Sequence, residues 1–178
     1  KVKSKCCGIK DYVNKSSLPK VYGGFNTSLS WKGFDLSAIF AYSIGGYIYN
    51  RDITMILHNG SLEGRAWSTE ILRRWTPDNR YTDVPALSTT SNNWNSASTR
   101  FLQNNSYMRL KNLTLSYNLP KPWISKLALS SVQVYVQGDN LFTIHKNQGL
   151  DPEQGITGIT YYRYPAMRTI SGGINIAF

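Results

Sequence analysis

Arg168-Thr169-Ile170-Ser171-Gly172-Gly173-Ile174-Asn175-Ile176-Ala177-Phe178 ends the chain on a period of two. Ile170, Gly172, Ile174, Ile176 and Phe178 take one side, and Thr169, Ser171, Gly173, Asn175 and Ala177 the other. Alternation of this kind places one apolar and one small or polar face on a β-strand.

The same pattern recurs upstream. Val21, Phe25, Leu29 and Trp31 oppose Asn26, Ser28 and Ser30. After the tight connection Lys32-Gly33, Phe34, Leu36, Ala38, Phe40 and Tyr42 share a face, as expected of an antiparallel hairpin. Leu113, Leu115 and Tyr117 oppose Asn112, Thr114 and Ser116, and Val132, Val134 and Val136 oppose Gln133, Tyr135 and Gln137. Arg109 and Lys111 share the parity of Leu113 and Leu115, which puts them on the apolar side.

Composition supports strands: aromatic residues make up 13% of the chain, charged residues only 17%, and 14 glycines punctuate it. No stretch reaches the 18 or so apolar residues of a spanning helix, but a tilted strand crosses a bilayer with about 9 to 11. Connections alternate in length: short at Lys32-Gly33 and Pro120 to Leu129, long at Asn50 to Arg100 and Phe142 to Pro165. Short turns on one side and long loops on the other are the rhythm of a membrane barrel. In the first long connection Ser68 is placed to cap a short helix carrying Ile71, Leu72 and Trp75, with Pro77 stopping it.

The expected fold is therefore all-β: C-terminal antiparallel strands of a large transmembrane β-barrel with long extracellular loops. Five strands cannot close a barrel, since closed ones begin at about eight. The basic start lacks the apolar core of a signal peptide, so the expectation is a C-terminal piece of a longer chain. Residues 1–18 form a basic lead-in, and in the first twenty residues Lys1, Lys3, Lys5, Lys10, Lys15 and Lys20 against Asp11 put half of the net charge of +10. Nothing resembling a nucleic-acid recognition element accompanies them. Cys6 and Cys7 are the only cysteines and cannot supply a four-ligand zinc site.

Several longer words stand in order along the chain: Pro19-Lys20-Val21-Tyr22-Gly23-Gly24-Phe25-Asn26, Trp31-Lys32-Gly33-Phe34-Asp35-Leu36-Ser37, Arg74-Trp75-Thr76-Pro77, the run from Asn105-Ser106-Tyr107-Met108-Arg109-Leu110-Lys111-Asn112 through Leu113-Thr114-Leu115-Ser116-Tyr117-Asn118-Leu119-Pro120, Gly138-Asp139-Asn140-Leu141-Phe142-Thr143 and Tyr164-Pro165 followed by Arg168-Thr169. Residues 19–178 resemble, through these words, the C-terminal barrel region of the SusC/RagA family of TonB-linked outer-membrane transporters. The resemblance implies import of glycans or peptides across the bacterial outer membrane. It implies a SusD-like surface lipoprotein as partner, TonB acting through an N-terminal region outside this sequence, outer-membrane lipid around the wall, and an oligosaccharide or oligopeptide as substrate. It also makes Phe178, with Ile176 and Ile174, the signal read by the barrel-assembly machinery. The rival expectations are a soluble β-sandwich that binds carbohydrate, and an adhesin or porin without energised transport.

No enzyme, metal site or cofactor is expected. His58 and His145 lack partners at triad or metal spacing, and Asp151-Pro152-Glu153 reads as a solvated turn. Binding needs no covalent chemistry. Trp94, flanked by Asn92, Asn93 and Asn95, is the expected contact with substrate or lid, an aromatic surface beside amide hydrogen-bonding groups. Trp67 and Trp75 are expected to pin the short helix.

Overall fold

The computed structural model describes residues 13–58, 62, 64–88, 96–125, 129–147, 149–153 and 155–178. They fall into two compact units, one made of Leu18–Gly46, Asn104–Glu153 and Tyr164–Phe178, the other of the described parts of Lys1–Ser17, Tyr47–Gln103 and Gln154–Arg163.

The first unit is a five-stranded sheet of β1 (Pro19–Trp31), β2 (Phe34–Gly45), β5 (Tyr107–Asn118), β6 (Ser131–His145) and β8 (Thr169–Ala177), in the order β1-β2-β5-β6-β8. Every neighbouring pair is antiparallel. A short helix α2 (Lys121–Ile124), opened by Pro120 and Pro122, occupies the β5 to β6 connection. The β1 to β2 turn has positive φ at both central residues, Lys32 at 48° and Gly33 at 88°. That mirror-image turn matches the right-handed strand twist. A Cβ on Gly33 would also stand 3.1 Å from the Asn118 carbonyl. Gly33→Ala is accordingly expected to lower stability by about 1 kcal/mol or more, read as a fall in urea midpoint.

Side-chain period carries the sheet's two faces. Paired residues point the same way, so Phe25 lies on Phe40 with ring centroids 4.7 Å apart, and Phe34 on Tyr117 at 4.5 Å. The apolar face continues through Leu29, Leu36, Leu115, Val134 and Ile174, whose exposures run from 39% to 66%. Aqueous proteins do not leave an apolar face this broad open to water; such faces meet another apolar layer or medium. The opposite face carries Ser37, Ser116, Thr114, Gln137 and Asp139.

Arg109 departs from its expected side. Ile39 pairs with Asn112 but Phe40 with Leu110, so Lys111 is an extra residue, and on β6 Asn140, at φ 52°, and Leu141 are skipped in the same place. The bulge inverts the parity of everything N-terminal to it. Arg109 therefore faces the polar side between Ala41 and Thr143.

The second unit has a small sheet of β3 (Tyr47–Asn50), β4 (Leu102–Asn104) and β7 (Ile159–Thr160), ordered β4-β3-β7, with β3 and β7 parallel. Helix α1 (Arg51–Ile56) follows β3 directly, capped by Asn50, whose Oδ1 accepts the Ile53 N–H at 3.1 Å. Ile48, Leu57, Ile71, Val84 and Phe101 supply the buried apolar side chains. The helix expected after Ser68 is a 3₁₀ turn, Thr69–Arg73, and Ser68 does cap it. Trp75 lies beyond its end, with its N–H donated to the Val84 carbonyl at 2.8 Å.

These observations correct the expected fold class. The chain is mixed, with α1, α2 and a parallel strand pair, and it contains two open sheets in place of an all-β transmembrane wall. Strands β1 and β8 are both edges, and unpaired edge groups cost several kcal/mol each in hydrocarbon. Among the described residues no helix is long and apolar enough to cross a membrane. The expected outer-membrane placement is withdrawn with the all-β transmembrane wall it depended on.

Candidate ligand-binding surface

Helix α1 organises an exposed aromatic pair. Asp52, in its first turn, accepts the Tyr162 N–H at 3.1 Å, and the Tyr162 hydroxyl reaches Met55 Sδ at 3.5 Å. Arg51 and Met55, four residues apart, share one helix face. The Arg51 guanidinium lies 4.7 Å from the Tyr161 ring centroid, and Arg65 donates to Met55 Sδ at 3.6 Å. The Tyr161 and Tyr162 rings are 4.1 Å apart at 45°, and they remain 41% and 66% exposed. The hydrogen bond with the Tyr162 side chain pushes the Tyr161 hydroxyl up from its ordinary value, with burial adding, while Arg51 and Arg65 pull the other way.

Tyr162 holds a φ of 48°. An aromatic residue in the left-handed region is a conformational outlier, sustained only where its surroundings over-determine it. The bond to Asp52 and the Met55 contact provide that restraint. Strain of this kind on a largely exposed ring marks a binding surface better than a packing role does.

Two further features lie in the same unit. Trp67 Nε1–H donates to Nδ1 of His58 at 3.1 Å, and while His58 is buried, Trp67 is 47% exposed. An open hollow of about 480 Å³ is lined by Arg73, Asn79, Tyr81, Thr82 and Asp83. Asn79 is held there by the Arg73 and Arg74 carbonyls, and the Tyr81 ring projects fully into solvent.

The polar face of the five-stranded sheet carries a charged cluster of a different character. Arg109, 3% exposed, donates to Thr143 Oγ1 at 2.9 Å, to Asp151 at 2.5 Å and to Glu153 at 2.8 Å, and Lys111 also meets Glu153. Burial alone would raise the Asp151 carboxyl, but the N–H groups of Ala166 and Glu153 and the Arg109 guanidinium reverse that and hold it below its usual range. Burial, with Glu153 next, pushes the nearby Tyr107 hydroxyl up. Every charge is paired, so the cluster ties Asp151 and Glu153 to Arg109 and Lys111, and Asp151 in turn accepts the Ala166 N–H. Asp151-Pro152-Glu153 is thus an ion-pair anchor and not the solvated turn expected.

Trp94, Asn92, Asn93 and Asn95 lie outside the described residues, as do Cys6 and Cys7. Ile174 and Ile176 sit on β8, and Phe178 follows it at 91% exposure. His145 Nδ1 meets the Asn147 carbonyl at 2.9 Å. Among the described residues no group of three or more His, Cys, Asp or Glu could hold a metal ion. The Tyr161-Tyr162 pair escaped the sequence reading because its weight comes from backbone conformation and from Asp52, 110 residues away.

No protein-family model matches the chain. Among curated proteins, TonB-dependent receptor P3 of Formosa agariphila is 37% identical over 167 residues, 87% of this chain and 16% of the relative. TonB-dependent receptor SusC of Bacteroides thetaiotaomicron is 27% identical over 171 residues, 94% of this chain and 16% of the relative. Among solved structures, the RagAB peptide importer in its open-open state matches 93% of this chain and 18% of that chain, at 35% identity and a TM-score of 0.82. The chain thus spans about one sixth of the length of the curated relatives it matches. The matches support partial homology to SusC/RagA-type TonB-dependent receptors; the expected identification as a run of that family's barrel strands, performing import, is corrected by the open sheets and the separate loop-rich unit.

Proposed function

We propose that this chain is a non-catalytic binding module, its loop-rich unit holding an oligosaccharide on exposed aromatic rings. The observation that carries the reading is the Tyr161–Tyr162 pair, kept accessible in a strained backbone by contacts from α1. Tyrosine faces stack on the apolar faces of sugar rings while their hydroxyls and neighbouring polar groups take hydrogen bonds. The partial homology to receptors fits binding without turnover, and a SusD-like surface lipoprotein is the protein partner we assign to such a module. An oligopeptide ligand is the second reading, favoured by the likeness to the RagAB structure, which is described as a peptide importer.

Calorimetric titration of the full-length protein with panels of oligosaccharides and oligopeptides tests this. At least one sugar should bind, and Tyr162→Ala should weaken it about tenfold, the loss of one stacked ring. Binding of peptides alone would select the second reading, and binding of neither would sink both.

A further inference from the structure

Resting on the binding-module reading, we infer that the Tyr161–Tyr162 surface takes an acidic oligosaccharide, one with a carboxylate beside a sugar ring. The cations around the rings carry the inference. Arg51 holds its guanidinium carbon 4.7 Å from the Tyr161 ring centroid, a cation–π contact that occupies none of its N–H donors in an ion pair. Arg65 spends a donor on Met55 Sδ, a weak acceptor. Among the described residues neither arginine forms an ion pair, in contrast to Arg73 and Arg109, which both do. Asp52, the carboxylate on the same helix, is engaged by the Tyr162 N–H.

Two exposed guanidiniums beside two exposed rings match a ligand that has both features. A planar fork of N–H donors pairs with a carboxylate bidentately, and the adjacent tyrosine face covers the ring that bears it. A neutral sugar would use the rings and leave both cations without a counter-charge. The strained Tyr162 is what brings the second ring alongside the first, since a right-handed φ at that residue would redirect the side chain.

The test compares tetragalacturonate with maltotetraose on the full-length protein by calorimetry, with the acidic peptide tetraglutamate as a third probe. The acidic sugar should bind at least tenfold more tightly than the neutral one, and raising the salt concentration should narrow the gap. Arg51→Gln with Arg65→Gln should reduce the preference to about twofold, and Arg65→Gln alone, at an exposed position, should reduce it part of the way. Tyr162→Gly should weaken binding of tetragalacturonate about tenfold while the melting midpoint holds or rises by about 2–4 °C, because glycine relieves the positive φ. Equal affinity for the two sugars, or a preference that survives both arginine changes, overturns the acidic-ligand inference and leaves the binding module standing. Tetraglutamate binding in place of either sugar also overturns it. If none of the three probes binds and the wider panels are silent too, the binding-module reading falls as well.

Discussion

Arg109→Ala is expected to destabilise the five-stranded sheet by about 3–5 kcal/mol, the cost of leaving a buried carboxylate without its counter-ion. The magnitude follows from burial. Arg109 is 3% and Asp151 6% exposed, so solvent screens their attraction little, and the guanidinium satisfies two carboxylates and a threonine at once. Asp151→Asn should lose less, since Glu153 still provides Arg109 with a counter-charge at 2.8 Å. The pair also sets an acid limit. Asp151 is held below its ordinary carboxylate range, so its stabilisation is complete above the unfolded-state value and is lost as pH falls through the folded one. Urea midpoints should therefore drop steeply below about pH 4 in the parent protein, and less steeply in Asp151→Asn. Equal acid sensitivity in both proteins would show that the cluster does not govern this limit.

Phe101→Ala should cost about 3–5 kcal/mol in the loop-rich unit. Phe101 is 1% exposed and meets Tyr49 edge-to-face at 6.1 Å, beneath a sheet of only three short strands. Little else there can relax into the space. Because Tyr49 belongs to β3, which leads straight into α1, the loss should also loosen the helix that positions Tyr161 and Tyr162. Hydrogen exchange across Arg51–Ile56 should accelerate by at least tenfold in this variant, whereas exchange in β5 and β6 should stay close to that of the parent protein.

Strand positions were legible in the sequence wherever alternation was clean. Phe34 to Tyr42, Leu113 to Tyr117 and Val132 to Val136 all lie in strands, and Lys32-Gly33 makes the expected hairpin turn. A period of two reports local strand geometry and nothing about closure, which is why the same residues led to an all-β transmembrane wall that the open sheet order does not bear out. Parity failed at Lys111 because a bulge adds a residue without changing the composition of either face, and Arg109 moved to the polar side as a result. Helix α1 was illegible for a different reason: six residues, three of them β-branched, are too few to show a helical period, and the segment depends on the Asn50 cap and tertiary contacts. The aromatic emphasis of the first long connection fell on Trp94, outside the described residues, while the exposed ring pair held by α1 lies at Tyr161 and Tyr162.

The apolar face of the sheet and the aromatic surface of the loop-rich unit call for different chemistry. Leu29, Leu36, Val134 and Ile174 offer area without hydrogen-bonding groups, so they suit a broad apolar covering and give a small polar ligand nothing to grip. Tyr161 and Tyr162 offer two rings, two hydroxyls and adjacent guanidiniums, the mixture that small-ligand sites use for orientation.

Hydrogen-exchange footprinting of the full-length protein, with and without the tightest sugar from the panel, tests the location of binding most directly. Protection should concentrate in Arg51–Ile56 and in residues 159–163, where backbone amides lie against the aromatic pair. A footprint confined to β5, β6 and β8, with those two segments unchanged at saturating sugar, would contradict the account.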